Sequence, residues 1–227
     1  SVMQVASGAT SAEMDQMRSL AVALGNDMAL PGASAQDAAT AMLELSKAGL
    51  SVNDTMGAAK GTLQLAAAAE TDAATAAGVV AGALNAFGME GSQAIVVVDQ
   101  LAGAANASQA NITDLPNGFQ QAGFAFNAGN QSAADLSTSL AALTKVGLTG
   151  ADSGTALKNA MMALMAPTSA AASEMAKYGI NVRDSSGNML PMQSIIGIFQ
   201  EKLGSLSPAL RDSALKTILM GDGMKAM

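Results

Sequence analysis

Carboxylates are the only side chains in this sequence that could carry acid–base catalysis. The 227 residues include 18 Asp and Glu but no His and no Cys, which rules out Ser-His-Asp and Cys-His nucleophiles, imidazole or thiolate metal sites and disulfides. A glycosidase would need two carboxylates facing each other across a cleft. No close acidic pair lies in an aromatic-rich segment, since only 3% of the residues are aromatic. The sequence therefore predicts no catalytic residue and no metal site.

Gly150 and Gly154 precede Lys158, a combination that has to be compared with phosphate-binding loops. Neither glycine has the G-x-x-x-x-G-K-S/T spacing that wraps a phosphate, so both are predicted to be turn or helix-start residues. The 11 Lys and Arg are scattered singly and the net charge is −7. We therefore expect no obligatory cofactor and no direct binding of nucleic acid.

One apolar segment, residues 73–89, carries no charge and has small residues at every fourth position. These residues are Ala74, Gly78, Gly82 and Ala86. This spacing lets another helix approach closely, either in a soluble bundle or in a membrane. Because the segment is only 17 residues long, it is near the lower limit for crossing a bilayer. We expect a buried helix of a soluble fold and keep membrane contact as the alternative.

An internal repeat organises the elements that would position these residues. Residues 25–60 align without a gap with residues 123–158, and 12 of the 36 positions are identical. Only two of the identities are Ala, and the others include the scarce Lys and Asp. A duplicated unit predicts two related halves, which we place at residues 1–115 and 116–227.

Each copy of the repeat carries helix start and stop signals. A Ser with an Asp three residues later can cap the free N–H groups of a first helical turn. A Gly two residues after a Lys is typical of the end of an α-helix, where the glycine adopts the left-handed conformation. These residues are Ser34, Asp37 and Gly49 in the first copy and Ser132, Asp135 and Gly147 in the second. A second capping pattern follows each glycine, so each copy is predicted to be a helix, a tight turn and another helix.

The predicted fold class is all-α, with the duplicated helix-turn-helix units forming a multi-helix bundle. Half of the residues are hydrophobic, with 16 Met and no Trp, so aliphatic side chains and adaptable Met must fill the core. Further helices are predicted near residues 10–25, 72–87, 92–107, 193–204 and 208–220. One more helix is predicted to contain Phe119, Phe124 and Phe126, and another to end at Tyr178 before Gly179. Residues 180–191 alternate apolar and turn-forming residues and predict a small hairpin or extended turn.

Taken in order, these segments resemble the core region of phage tail tape measure proteins, found in long-tailed phages and prophages. In the first half the resemblance rests on Ala41 to Leu50, Leu84 to Gly88 and Val98 to Ala102. In the second half it rests on Leu143 to Leu148, Tyr178 to Ile180 and Asp184 to Asn188. The likeness covers the chain from about residue 20 to its end.

The resemblance implies a structural module, not an enzyme, of a longer protein that acts in tail assembly and tail length determination and is released during DNA ejection. The implied partners are the tail tube protein, tail assembly chaperones and tail-tip or baseplate proteins. The implied location is the tube lumen of the virion tail, and the host cytoplasm during assembly. A membrane-active segment at residues 73–98 that aids DNA passage through the host envelope, a cell-wall hydrolase and a homo-oligomer stay open as alternatives.

Overall fold

The computed structural model describes residues 2–108, 115–148 and 150–219. Over these residues the chain forms twelve α-helices, one short 3-10 helix and one isolated β-bridge. The predicted all-α fold class is therefore confirmed. The chain divides into two compact units, Ser1–Pro116 and Asn117–Met227.

The first unit is built around its third helix. Its described elements are α1 (Val2–Ser7), α2 (Ser11–Gly25), α3 (Ala35–Lys47), α4 (Val52–Ala68), α5 (Ala73–Phe87), a 3-10 helix (Gly91–Gln93) and α6 (Ala94–Ser108). Helix α3 packs against α1, α2, α4 and α5, and α4 also packs against the 3-10 helix and α6. Because Ala38, Met42 and Leu45 recur at helical spacing and are fully buried, α3 presents a continuous apolar face to its neighbours.

The second unit is again helical and has the larger aromatic share of the core. Its described helices are α7 (Leu115–Ala128), α8 (Ala133–Lys145), α9 (Gly150–Met165), α10 (Ser169–Lys177), α11 (Met192–Leu203) and α12 (Pro208–Leu219). Helix α8 packs against α9 and α11, and α12 packs against α9 and α10. Phe119 and Phe126 of α7 are fully buried and anchor the core of this unit.

The repeat in the sequence is a repeat in the backbone. Helices α3 and α8 each have 13 residues, and their bounds differ by the same 98 positions that align the sequences. Gly49 and Gly147 follow them with φ of +90° and +87°, the left-handed region that a glycine stop requires. The amides of Leu50 and Leu148 donate to carbonyl oxygens five residues back, at 3.3 and 3.0 Å, which closes each helix with a Schellman-type turn.

The two helix starts also share one geometry. Ser34 and Ser132 each accept a hydrogen bond from the backbone N–H three residues on, and both of these N–H···O distances are 3.1 Å. Asp37 and Asp135 return the bond, since each accepts the N–H of its serine at 2.9 Å. Both helices therefore begin with a reciprocal capping box.

The predicted hairpin at residues 180–191 is confirmed as a single antiparallel bridge between Arg183 and Met189. The backbone N–H of Leu190 donates to the carbonyl oxygen of Val182 at 2.9 Å. Asp184 accepts two backbone N–H groups of the intervening turn, which holds the turn in one conformation.

Two local interpretations need correction. Gly154 was expected in a turn or at a helix start but lies inside α9. Helix α1 and the 3-10 helix have no counterpart among the predicted elements, because both are too short to show an apolar period.

Candidate functional site

The small-residue stripe of α5 lies on the outer side of that helix. Gly78 is exposed, while Ala74, Gly82 and Ala86 are half-buried. A Cβ built on Gly78 or Gly82 meets no atom of the described residues within 4 Å. The close helix packing expected at these two glycines is therefore not found in the described part of the chain.

The buried side of α5 is the opposite one. Ala76, Ala77, Val80 and Leu84 are fully buried, and α5 contacts α3, α4 and α6. The helix itself is thus part of the core, as its apolar composition predicts. Its outer stripe remains uncharged and free of large side chains over about 20 Å of helix length.

A close approach between elements of this unit lies on α4. A Cβ built on Gly57 would lie 3.0 Å from the backbone nitrogen of Ser92, and one on Gly61 would lie 3.2 Å from that of Ile95. These glycines are four residues apart, so both fall on the side of α4 that meets the 3-10 helix and the start of α6. The G-x-x-x-G spacing at residues 57–61 was the sequence signal for this contact, and sequence analysis missed it.

Asp54 ties the start of α4 to the 3-10 helix. The backbone N–H of Gly91 donates to Oδ1 of Asp54 at 2.7 Å, and the hydroxyl of Ser51 donates to Oδ2 at 2.6 Å. These two hydrogen bonds, the one from Gly91 first, hold the pKa of Asp54 below its ordinary value. Gly91 has no room for a side chain, since a Cβ there would lie 1.9 Å from the backbone oxygen of Asp54.

A glycine crossing also joins α7 and α9 in the second unit. A Cβ built on Gly154 would lie 2.7 Å from the carbonyl oxygen of Gly118. Gly118 itself faces Leu140 of α8, whose Cδ2 would lie 2.5 Å from an added Cβ. Gly154 is therefore a packing residue at the crossing of α7 and α9.

Gln131 is a buried polar residue that sequence analysis did not single out. Its side-chain amide donates to the carbonyl oxygen of Leu190 at 3.0 Å, and its Oε1 accepts the N–H of Met192 at 2.7 Å. The side chain thus fastens the turn before α8 to the end of the hairpin. Ala33 stands at the equivalent position of the first copy, so the repeat itself gave no signal for this contact.

Asp37 and Asp72 serve as helix caps. Asp37 has its pKa lowered, first by the hydroxyl of Ser34 and then by the same residue's N–H. Asp72 has its pKa lowered, first by the N–H of Thr75 and then by its hydroxyl. A general acid at neutral pH needs a raised pKa, so these groups stay ionised and stabilise the first turns of α3 and α5.

Among the residues that the structure describes, no group of three or more Asp or Glu residues is arranged to hold a metal ion. None of the helices described there is long and apolar enough to cross a membrane.

Comparison with known proteins gives a consistent set of relatives. The family described as "Phage-related minor tail protein" matches residues 18–219. The "Tape measure protein" of Pneumococcus phage Dp-1 is 30% identical over 225 residues, which are 99% of this chain and 19% of that protein. The "Probable tape measure protein" of Escherichia phage P2 is 30% identical over 211 residues, 92% of this chain and 25% of that protein. No solved structure matches the chain.

Proposed function

Because this chain belongs to the family of phage-related minor tail proteins, we propose that it is a structural module of a tape measure protein. In this role it acts in tail assembly and tail length determination and leaves the tail during DNA ejection. The observation that carries the proposal is the similarity to two tape measure proteins over 99% and 92% of this chain. The chain spans about a fifth and a quarter of those relatives' lengths, so the role of the whole protein is part of the proposal.

The chemistry of the described residues supports a structural role. Asp37 and Asp72 cap helices, Asp54 bonds the start of α4 to the 3-10 helix, and the pKa of each of these carboxyls is lowered. Several glycines end helices or allow two elements to approach closely. The proposed role therefore requires no catalytic step, only stable helical surfaces that other tail components can contact.

The proposed partners are the tail tube protein, the tail assembly chaperones and the tail-tip or baseplate proteins. The proposed location is the lumen of the tail tube, preceded by the host cytoplasm during assembly. The outer stripe of α5 (Ala74, Gly78, Gly82 and Ala86) supports such contacts, because small uncharged residues let a partner helix approach closely. The same stripe is the observation that favours a membrane-active segment as the second candidate function.

Phage genetics can test the proposed role directly. The segment encoding these 227 residues would be deleted in frame from a phage that carries it, and tails would be measured by electron microscopy. We expect tails to be missing or altered in length. The shortening should stay well below about 340 Å, the length of 227 residues in one continuous helix, because the helices here fold back on one another. Infectious particles with unchanged tails would contradict the proposal.

A charge on the α5 stripe separates the two candidate functions. Gly82→Asp adds a carboxylate to a position with open space, so the fold should tolerate it. Under the structural role, the variant should impair tail assembly, and the purified chain should leave liposomes intact. Dye release from liposomes by the native chain, lost in Gly82→Asp but kept in Gly103→Asp, would instead establish the membrane-active function.

A further inference from the structure

An open apolar groove lies between α1, α2 and α3 of the first unit. Its volume is about 310 Å³. The walls carry methionines, and small residues of α3 form part of the lining. Its lining includes Met3, Met14, Met17, Met42, Ala35 and Ala39.

The groove combines a fixed base with adaptable walls. Met17 and Met42 are fully buried in the core of the first unit, so they hold the base in place. Met3 and Met14 are only half-buried, and unbranched Met side chains can repack around different shapes. Val22 at the rim has 52% of its surface exposed, so the apolar surface continues outward. Such a groove suits the apolar face of a helix that presents side chains at positions i, i+3 and i+4.

The charge of the first unit selects among such helices. Residues 1–116 contain 11 acidic and three basic residues, a net charge of −8 (three minus eleven). Residues 117–227 contain seven acidic and eight basic residues, a net charge of +1. The cation lining the groove, Arg18, is paired with Asp15 at 2.8 Å. The field of this unit therefore attracts a basic partner and repels an acidic one.

We propose that this groove binds an amphipathic helix of another protein, apolar on one face and rich in Lys or Arg on the other. The apolar face would enter between the methionines, and the basic face would remain in the negative field of the unit. A second copy of this chain is a poor occupant, because its own first unit has the same charge of −8. This binding does not depend on the proposed role in tail length.

The test uses the whole chain and a synthetic helix of about 15 residues, built from Leu on one face and Lys on the other, with a single Trp. Because the chain has no Trp, the peptide emission reports only the peptide's surroundings. We expect a blue shift on binding, and an affinity at least about tenfold higher than that of the matched Leu and Glu helix at low salt. The affinity should fall as salt is added.

Paired variants locate the binding site. Ala39→Leu fills the groove from α3 and should lower the affinity about tenfold or more, whereas Ala142→Leu, at an exposed position of α8, should leave it unchanged. Circular dichroism checks that both variants fold. In the native chain, methyl NMR signals of Met3 and Met14 should shift on binding, while the signal of buried Met161 in the other unit should not.

Four results would overturn the proposal. Equal affinity for the Lys and Glu helices would show that charge does not select the partner. Unchanged binding to Ala39→Leu, or shifts at Met161 without shifts at Met3 and Met14, would place the peptide elsewhere. Self-association of the native chain that Ala39→Leu abolishes, measured by sedimentation, would assign the groove to a second copy.

Discussion

Asp54 and Asp152 stand at the same position of the repeat but have different surroundings. Asp54 accepts the N–H of Gly91 and the hydroxyl of Ser51, the N-cap residue of α4, whereas Asp152 is exposed in the first turn of α9. Asp54→Ala removes the acceptor of both bonds and leaves the buried N–H of Gly91 without this partner, so it should lower the free energy of unfolding by about 2 kcal/mol. Asp152→Ala should cost less than about 1 kcal/mol. Urea unfolding of both variants decides this, and equal losses would contradict the assigned role of Asp54.

Acid should weaken the fold through the hydrogen-bonded carboxyls of Asp37 and Asp54. The folded-state pKa values of Asp37 and Asp54 are lowered from an ordinary value of 3.8, so the unfolded chain takes up protons first as the pH falls. Their stabilisation is complete above that ordinary value and is lost as the pH falls through the lowered folded-state values. We expect the urea midpoint to fall between pH 5 and pH 3, and to fall less in Asp54→Asn. An acid response that is unchanged in Asp54→Asn would show that other groups control it.

Two glycine-to-alanine changes should have opposite signs. Gly91→Ala places a Cβ 1.9 Å from the backbone oxygen of Asp54, so the 3-10 helix must move away from α4, at a cost of about 1 to 3 kcal/mol. Gly82→Ala places its Cβ in open space inside α5 and should stabilise the helix by about 0.5 to 1 kcal/mol. Thermal unfolding measures both changes. Destabilisation by Gly82→Ala would indicate a packing contact on the α5 stripe.

At the scale of elements, the glycines that end α3 and α8 occupy equivalent positions of the repeat, so the same prediction applies to both. Gly49 and Gly147 have φ of +90° and +87°, where a Cβ is strained. Replacing either with Ala should therefore lower the free energy of unfolding by about 1 kcal/mol, by similar amounts at the two sites. Gly103→Ala is the matched control, because Gly103 lies within α6 with no positive φ and open space at its Cβ. Losses at Gly49 and Gly147 no larger than at Gly103 would contradict the stop geometry.

Elements whose signals lie within one turn of helix could be predicted from sequence. The capping pair Ser34 and Asp37 determines where α3 begins, and Gly49 follows its end, because the atoms that bond there are neighbours in the chain. The hairpin at residues 180–191 was predictable for the same reason. From such local signals the all-α fold class, the repeated helix-turn-helix unit and the order of the helices could be predicted.

Contacts between elements could not be predicted in the same way. Whether a glycine packs depends on which side of its helix meets another backbone, so Gly57 and Gly61 pack while Gly78 and Gly82 face open space. Both pairs have the same spacing in the sequence. They differ because the 3-10 helix and α6 cross α4 at Gly57 and Gly61, whereas no described backbone crosses α5 at Gly78 and Gly82. Gln131 bonds to residues 59 and 61 positions away, a relation that no local pattern encodes. The candidate α5 stripe was thus located by sequence, but its orientation was not.

At the scale of the whole molecule, the two units differ more in charge than in helical architecture. Each has its own buried core, which includes Leu45 and Leu65 in the first unit and Phe119 and Leu157 in the second. We therefore expect fragments 1–116 and 117–227 to fold separately. A fragment ending at residue 60 should not fold, because it lacks α5, which packs against α3, and the second half of α4 together with the 3-10 helix and α6 that pack against α4. Circular dichroism and melting of the three fragments test this, and a disordered fragment 1–116 would contradict it.

The charge difference predicts how salt should act on the two units. The first carries a net charge of −8 and the second +1, so repulsion among like charges opposes folding mainly in the first. Raising NaCl from about 0.05 to 0.5 M shortens the screening length severalfold, and should raise the melting temperature of fragment 1–116 more than that of fragment 117–227. Sucrose, which favours compact states without screening charge, is the control and should affect both fragments similarly. Equal shifts in NaCl would show that the acidic residues of the first unit do not repel one another enough to matter, and would weaken the case that its field selects a basic partner.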